Sequence, residues 1–178
     1  DPRNPDMQRK LNVSIKMREG FRPFAPSVME EYATDYFDLG ISSPYMLFVA
    51  PVVKHRCRPQ PEEDDARGLY ERLYHQRSDI PSVTHVDYTA RAQTVRRDTN
   101  PRFWDLLHAF KQLTGYGMLV NTSFNVRGEP IVCSPEDAYS CFMRTGMDYL
   151  VMENVLFDKA LQPEPADRIL SLKLMGSD

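Results

Sequence analysis

Three stretches of the sequence gather side chains that could hold phosphate or polarise a carbonyl. The densest is Asn121-Thr122-Ser123-Phe124-Asn125-Val126-Arg127-Gly128-Glu129-Pro130, where polar groups crowd directly after an apolar run. Ligands of open α/β sheets bind just beyond strand carboxyl ends, so Asn121, Ser123 and Asn125 stand where a site would be. A turn in which Asn and Ser side chains hydrogen-bond their own backbone is the competing explanation. The second stretch, Lys16 to Pro26, sets Lys16, Arg18 and Arg22 among aromatic and proline residues. Arginine forks can grip two phosphate oxygens and lysine supplies a point charge, so this is how a polyphosphate clamp would be built. A solvated basic loop paired with Glu19, Glu30 or Glu31 would look the same. The third candidate is Arg91, inside a strand-like pattern where an unpaired charge is costly to bury. Its partner is Asp87 or Asp98, or else phosphate.

Other chemistries find less support. His55, His75, His85 and His108 share no spacing with one another or with cysteines that suggests zinc, so no protein-held metal is expected. There is no Walker loop, no G-x-G-x-x-G and no G-x-S-x-G turn. Cys133, beside Ile131 and Val132, reads as a buried thiol rather than a nucleophile. The glycosylation pattern at Asn121-Thr122-Ser123 requires secretion and is set aside.

Alternating elements must position these groups. A short helix is expected over Pro5 to Asn12, and a loop or edge strand from Ile15 to Pro26. Tyr45-Met46-Leu47-Phe48-Val49 is a continuous apolar run with the pattern of a central strand buried on both faces. From Lys54 to about residue 77 the chain reads as a mobile charged insertion with the acidic run Glu62 to Asp65 and a modest helix around Leu69 and Leu73. Strand character resumes over Ser82 to Val95. Asn100 as N-cap, Pro101, an apolar stripe from Phe103 to Leu113 and the stop Gly115 predict a helix. Met118 to Val120 follows as a short buried strand, a second helix opens at Ser134-Pro135-Glu136-Asp137, and Tyr149 to Phe157 reads as a further strand. This order favours an α/β architecture with at least one mixed sheet covered by helices.

The 178 residues suit one compact domain, and 42% hydrophobic with 26% charged residues is a globular composition. A net charge of -3 argues against whole-molecule attraction to nucleic acid or an anionic membrane. Three cysteines at no metal spacing, and no signal peptide, predict a reduced, cytoplasmic setting. No apolar stretch reaches the roughly 18 residues of a membrane span. The polar, proline-rich opening Asp1-Pro2-Arg3-Asn4-Pro5 resembles an interdomain linker, so a fragment of something longer is expected.

The Lys16 to Ser27 stretch, the segment Thr84-His85-Val86-Asp87-Tyr88-Thr89-Ala90-Arg91-Ala92-Gln93-Thr94-Val95 and the Asn121 to Val132 block together resemble the C-terminal domain of the O-carbamoyltransferases. That family includes the nodulation-factor, cephamycin and tobramycin enzymes. The resemblance covers residues 1 to 160. It implies a linker remnant over 1–12, a YrdC-like domain over 13–160 with a strongly twisted mixed sheet flanked by helices, and a tail over 161–178. The Lys-x-Arg and Ser-x-Asn pair of the YrdC pattern is matched by Lys16-Met17-Arg18 and Ser123-Phe124-Asn125. By resemblance the domain binds ATP and carbamoyl phosphate and makes carbamoyladenylate, with Mg²⁺ bound through the ATP phosphates. A preceding actin-like ATPase-superfamily domain of the same protein would then transfer the carbamoyl group to an acceptor hydroxyl. Lys16, Arg18 and Arg22 are expected at phosphates, and Arg91 at carbamoyl phosphate or the adenylate. Asn121, Ser123 and Asn125 are expected to hydrogen-bond phosphate, carbamoyl or ribose oxygens, with Arg127 a further contact. Catalytic roles fall to Lys16, Arg22, Arg91 and Ser123, and substrate binding to Arg18, Asn121, Asn125 and Arg127. A threonylcarbamoyladenylate synthase-like domain and a non-catalytic nucleotide-binding module are the alternatives.

Overall fold

The central strand of the main sheet is β1, Ala25–Met29, and all five of its residues are buried. It pairs in parallel with β4, Gln93–Val95, and antiparallel with β5, Met118–Asn121, which gives a mixed sheet of order β4-β1-β5. The loop or edge strand expected up to Pro26 is therefore corrected, because the innermost strand starts there. Pro26 is tolerated because the parallel ladder begins only at Ser27, so β4 asks nothing of its nitrogen. The computed structural model describes residues 1–59 and 68–163. The acidic run Glu62 to Asp65 and the tail from residue 164 lie outside the described residues.

Two compact units divide the chain: Asp1–Asn12 with Glu19–Thr122, and Val13–Arg18 with the chain from Ser123 onward. The first holds the helix α1, Met7–Leu11, the main sheet and a two-stranded sheet of β2, Ala50–Pro51, with β3, Thr89–Ala90. It also holds the short helix α2, Leu69–Leu73, and the long α3, Pro101–Thr114. In α3, Asn100 accepts from the Phe103 amide, Pro101 occupies the first turn and Gly115 ends the helix at φ 82°, as the residue types demand. Leu107 is buried against Met29 and Val95, and a larger core gathers Val28, Phe37, Val52, Ile80, Val83 and Met118. Arg56 of the 54–77 segment lies 4.3 Å from the Tyr36 ring and pairs with Asp79 at 2.6 Å, which ties that part of the segment down.

The second unit is built on α4, Pro135–Arg144, and the hairpin β6, Tyr149–Met152, with β7, Val155–Asp158. The single strand expected over Tyr149 to Phe157 is thus two, folded at Glu153 in the left-handed region (φ 53°). Ser134 and Asp137 form a reciprocal capping box at the start of α4. Ala138, Phe142 and Leu150 form the core, and burying a side chain such as Phe142 contributes roughly 1.5–3 kcal/mol. Cys133 is exposed, not buried, because the chain that bears it runs over the surface before the capping box. The order of strands and helices is the mixed α/β class that the pattern predicts.

Two further expectations are corrected. Tyr45 to Val49 is not a buried strand: Leu47 is 75% exposed, and no described strand pairs with Leu47–Val49. An apolar run reports only that its residues prefer to leave water, not which surface will cover them. The strand character of Ser82 to Val95 resolves into a turn at Pro81–Val83 and the short strands β3 and β4. Arg91 falls between them, exposed, so its charge carries no burial cost. Among the described residues no helix is long and apolar enough to cross a membrane.

Candidate functional site

In the second unit, the strip Val13–Arg18 is sewn to the residues after Ser123. The Gly146 amide donates to the Ser14 carbonyl at 2.7 Å and the Arg127 amide to the Lys16 carbonyl at 3.0 Å. The backbone from Asn12 to Lys16 is a π-helical turn, an arrangement frequent at functional sites. Its last residue, Lys16, is only 4% exposed. The Lys16 ammonium donates to the carbonyl oxygens of Ser123 and Asn125, both at 2.8 Å, to Asn125 Oδ1 at 2.6 Å and to Ser123 Oγ at 3.1 Å. Ser123 Oγ in turn donates to Asn125 Oδ1 at 2.8 Å, and Asn125 Nδ2 donates to the Glu129 carbonyl at 2.9 Å. An ammonium has three hydrogens, so four acceptors saturate it. Burial pulls the Lys16 pKa below the ordinary lysine value, Arg18 adds to the shift and Cys141 opposes it.

Met17 then takes a left-handed backbone (φ 52°), uncommon for a residue with a side chain, and turns the chain between Lys16 and Arg18. Arg18 is half-buried, while Ser123 and Arg127 are exposed. Gly128 (φ 82°) reverses the loop after Arg127, and Glu129 receives Arg144 at 2.8 and 3.1 Å. The unit therefore brings Lys16, Ser123 and Asn125 into one hydrogen-bonded turn, with Arg127 bonded through its backbone to Lys16. Such a turn presents hydroxyl and amide groups beside a buried positive charge, a setting suited to anionic oxygens.

The other candidates belong to the first unit. Asn121, the last residue of β5, donates through Nδ2 to Gln93 Oε1 at 2.8 Å. The same oxygen accepts from Ser27 Oγ at 2.7 Å, and Gln93 Nε2 donates to the Pro44 carbonyl at 3.1 Å. Gln93 thus aims Asn121 and satisfies the fully buried Ser27, a role with no signal in the sequence beyond its place in the Thr84 to Val95 block. A cleft of about 350 Å³ opens here between Tyr45, Gln93, Arg96 and Asn100.

Arg91 makes no hydrogen bond or ion pair among the described residues. Asp98 is held by Arg96 at 2.5 Å, and Asp87 accepts from Thr89 Oγ1 at 2.7 Å, so neither expected carboxylate partner is engaged with it. His85 Nδ1 lies 3.0 Å from Thr89 Oγ1. Since the Thr89 hydrogen goes to Asp87, that imidazole nitrogen is the donor, and a His85–Thr89–Asp87 relay shapes the turn before β3. Burial lowers the His85 pKa, Asp87 opposes the shift and Arg91 adds to it. The Thr89 hydroxyl bond is the main cause that holds the Asp87 carboxyl below the usual range. Tyr88 closes the turn with φ 64°.

Arg22 pairs with Glu19 at 2.9 Å, one of the alternatives weighed for the basic loop. Two amides missed by sequence reasoning shape that loop. Asn12, fully buried, donates to the carbonyls of Gly20 and Arg22 at 3.2 and 2.8 Å, and Gln8 to those of Phe21 and Arg22 at 2.7 and 3.2 Å. Only the structure identifies them, because an Asn or Gln in a short helix reads as solvated surface.

Residues 1–159 match the model of a family described as carbamoyltransferase C-terminus. The chain is 58% identical over 165 residues to the uncharacterized protein sll1178 of Synechocystis, covering 92% of this chain and 27% of that protein. It is 40% identical over 173 residues to nodulation protein NolNO of Sinorhizobium fredii, covering 95% of this chain and 22% of the relative. Nodulation protein NolO of Bradyrhizobium diazoefficiens is also 40% identical, over 159 residues, with coverage of 89% and 26%. The chain spans about a quarter of the length of the curated relatives it matches. With a family match running from its first residue through the end of the last described hairpin, the chain belongs to the carbamoyltransferase C-terminus family.

Proposed function

We propose that this domain binds ATP and carbamoyl phosphate and forms carbamoyladenylate, which the rest of the full-length protein, an actin-like ATPase-superfamily domain, passes to an acceptor hydroxyl. The observation that supports the reading is the bonding of Lys16 to Ser123 and Asn125, which joins the Lys-x-Arg and Ser-x-Asn motifs across more than a hundred residues. Family membership supports carbamoyl transfer as the chemistry.

In this reaction, water takes the phosphoryl group of carbamoyl phosphate, leaving carbamate and phosphate. A carbamate oxygen then attacks the α-phosphorus of ATP, the bond from that phosphorus to the bridging oxygen breaks, and pyrophosphate leaves with the electron pair. No side-chain nucleophile takes part, so the residues act by positioning and by stabilising charge. Lys16 holds the Ser123–Asn125 turn and lends it positive charge. Asn125 and Asn121 donate the second hydrogen of their amide nitrogens to phosphate, carbamoyl or ribose oxygens, and Ser123 joins them by turning its one hydroxyl hydrogen from Asn125 Oδ1 to the ligand. Arg18, Arg22 and Arg127 engage phosphates, Arg22 exchanging Glu19 for the ligand. Arg91, exposed and without an ion-pair partner among the described residues, meets carbamoyl phosphate or the adenylate. ATP brings Mg²⁺ with it, held by phosphate oxygens and water, which neutralises part of the triphosphate charge.

The test is pyrophosphate release from ATP by the full-length protein, with and without carbamoyl phosphate. Release that requires carbamoyl phosphate, and that falls tenfold to a hundredfold in Arg91→Ala, is expected for the loss of one charge-assisted contact. Release independent of carbamoyl phosphate overturns the proposal, and release that requires threonine and bicarbonate instead assigns the domain to threonylcarbamoyladenylate synthesis.

A further inference from the structure

We infer that the exposed apolar segment Tyr45–Val49 is a docking surface for an apolar patch on the part of the full-length polypeptide that precedes this domain. Tyr45 is 81%, Leu47 75% and Val49 56% exposed, Phe48 is also exposed, and Ile41 adds to the same stretch of chain. Single exposed apolar residues are ordinary, whereas several in one short stretch mark an interaction surface.

This segment is not a frayed loop. The Ser43 amide donates to Thr94 Oγ1 at 2.9 Å, Ser43 Oγ to the Ala92 carbonyl at 2.9 Å, and the Thr94 amide to the Ser43 carbonyl at 3.0 Å. Gln93 Nε2 holds the Pro44 carbonyl, and at the other end Ala50 is buried and paired with Ala90 in the β2–β3 sheet. The fold fixes both ends of the segment and leaves its apolar side chains in water, an arrangement with a cost unless something covers them.

The occupant follows from size and connectivity. A second copy of the chain would need a surface of roughly 800 Å² per partner to form a stable dimer, more than a handful of side chains provide. A covalently attached partner faces no such threshold, because tethering gives an effective concentration on the order of millimolar. The matched relatives are about four times longer than the region they share with this chain, and the family is described as a C-terminus, so the attached polypeptide lies upstream. The segment also adjoins Asn121, whose amide points toward Met46 Sδ at 3.6 Å, so docking there would set a wall beside a candidate substrate contact.

The inference goes beyond the adenylation reading and does not depend on it, since its test involves no turnover. A photoreactive p-benzoylphenylalanine is placed at Leu47 of the full-length protein, and a mixture of unlabelled and ¹⁵N-labelled protein is irradiated. Cross-links from position 47 to residues upstream of this domain, within one polypeptide, are expected, and none from the same probe at Leu113, an 86% exposed position on α3. A Leu47→Asp, Phe48→Asp double variant should be cleaved by protease between the two parts about tenfold faster, with amide exchange in β1 unchanged. Cross-links only between labelled and unlabelled copies, cross-links confined to this domain, or cleavage at the wild-type rate each overturn the inference.

Discussion

A lysine that gives up water must find acceptors for three hydrogens, and Lys16 finds them on Ser123 and Asn125. Lys16→Met keeps most of the stem volume but takes the ammonium donor from the Ser123 and Asn125 carbonyls and leaves Asn125 Oδ1 with the Ser123 hydroxyl alone. We expect a loss of about 2–3 kcal/mol, read as a lowered urea midpoint and faster amide exchange over residues 123–146. The Lys-x-Arg pattern marks Lys16 as a candidate phosphate contact, and the structure adds its bonds to Ser123 and Asn125. Its burial was not legible, because the acceptors lie more than a hundred residues away. His85 offers a pH test. Its folded pKa is below the unfolded value of about 6.5, so the unfolded chain binds more protons and stability falls as pH drops through the window below 6.5. Above that window the contribution is fully present. Urea midpoints at pH 5 and 7 should differ more in the wild type than in His85→Asn.

Between elements, the second unit has a close backbone approach at Gly146. A Cβ there would stand 2.9 Å from Ser14 Cβ and 3.1 Å from the Ser14 carbonyl oxygen. Gly146→Ala should therefore push the 13–18 strip away and break the 2.7 Å amide bond to Ser14, costing about 1–3 kcal/mol by thermal unfolding. Helix α3 and the start of helix α4 were legible to the residue, since N-caps, proline at the first turn and, in α3, an αL glycine are local rules; α4 stops at Arg144, short of Gly146, on an extended Thr145. Strands were not. β1 contains a proline, which reads as an edge, and Tyr45–Val49 is apolar throughout, which reads as a core. Both errors have one cause: burial in a sheet is decided by neighbours distant in sequence, which local pattern does not contain.

For the whole molecule, the α/β class was legible and both the Lys-x-Arg and Ser-x-Asn motifs could be recognised, whereas their bonding to one another and the division into two units were not. Nothing in composition marks residues 13–18 as belonging with the chain after Ser123. A chain terminated after Thr122 lacks the Ser123–Asn125 turn, Arg127 and Gly146, all partners of that strip. Its amides at residues 13–18 should then exchange at the rates of unfolded peptide, measured by mass spectrometry, while those of β1 stay protected. Protection of 13–18 in that truncated chain would sink the assignment. The same interleaving has a consequence at the ribosome. At roughly 5–20 residues per second, the strip is synthesised about 5–20 s before its partners are. During that interval Lys16 is a hydrated surface cation on a nascent chain, open to whatever anionic polymer or chaperone meets it, and the turn it will hold has yet to be made.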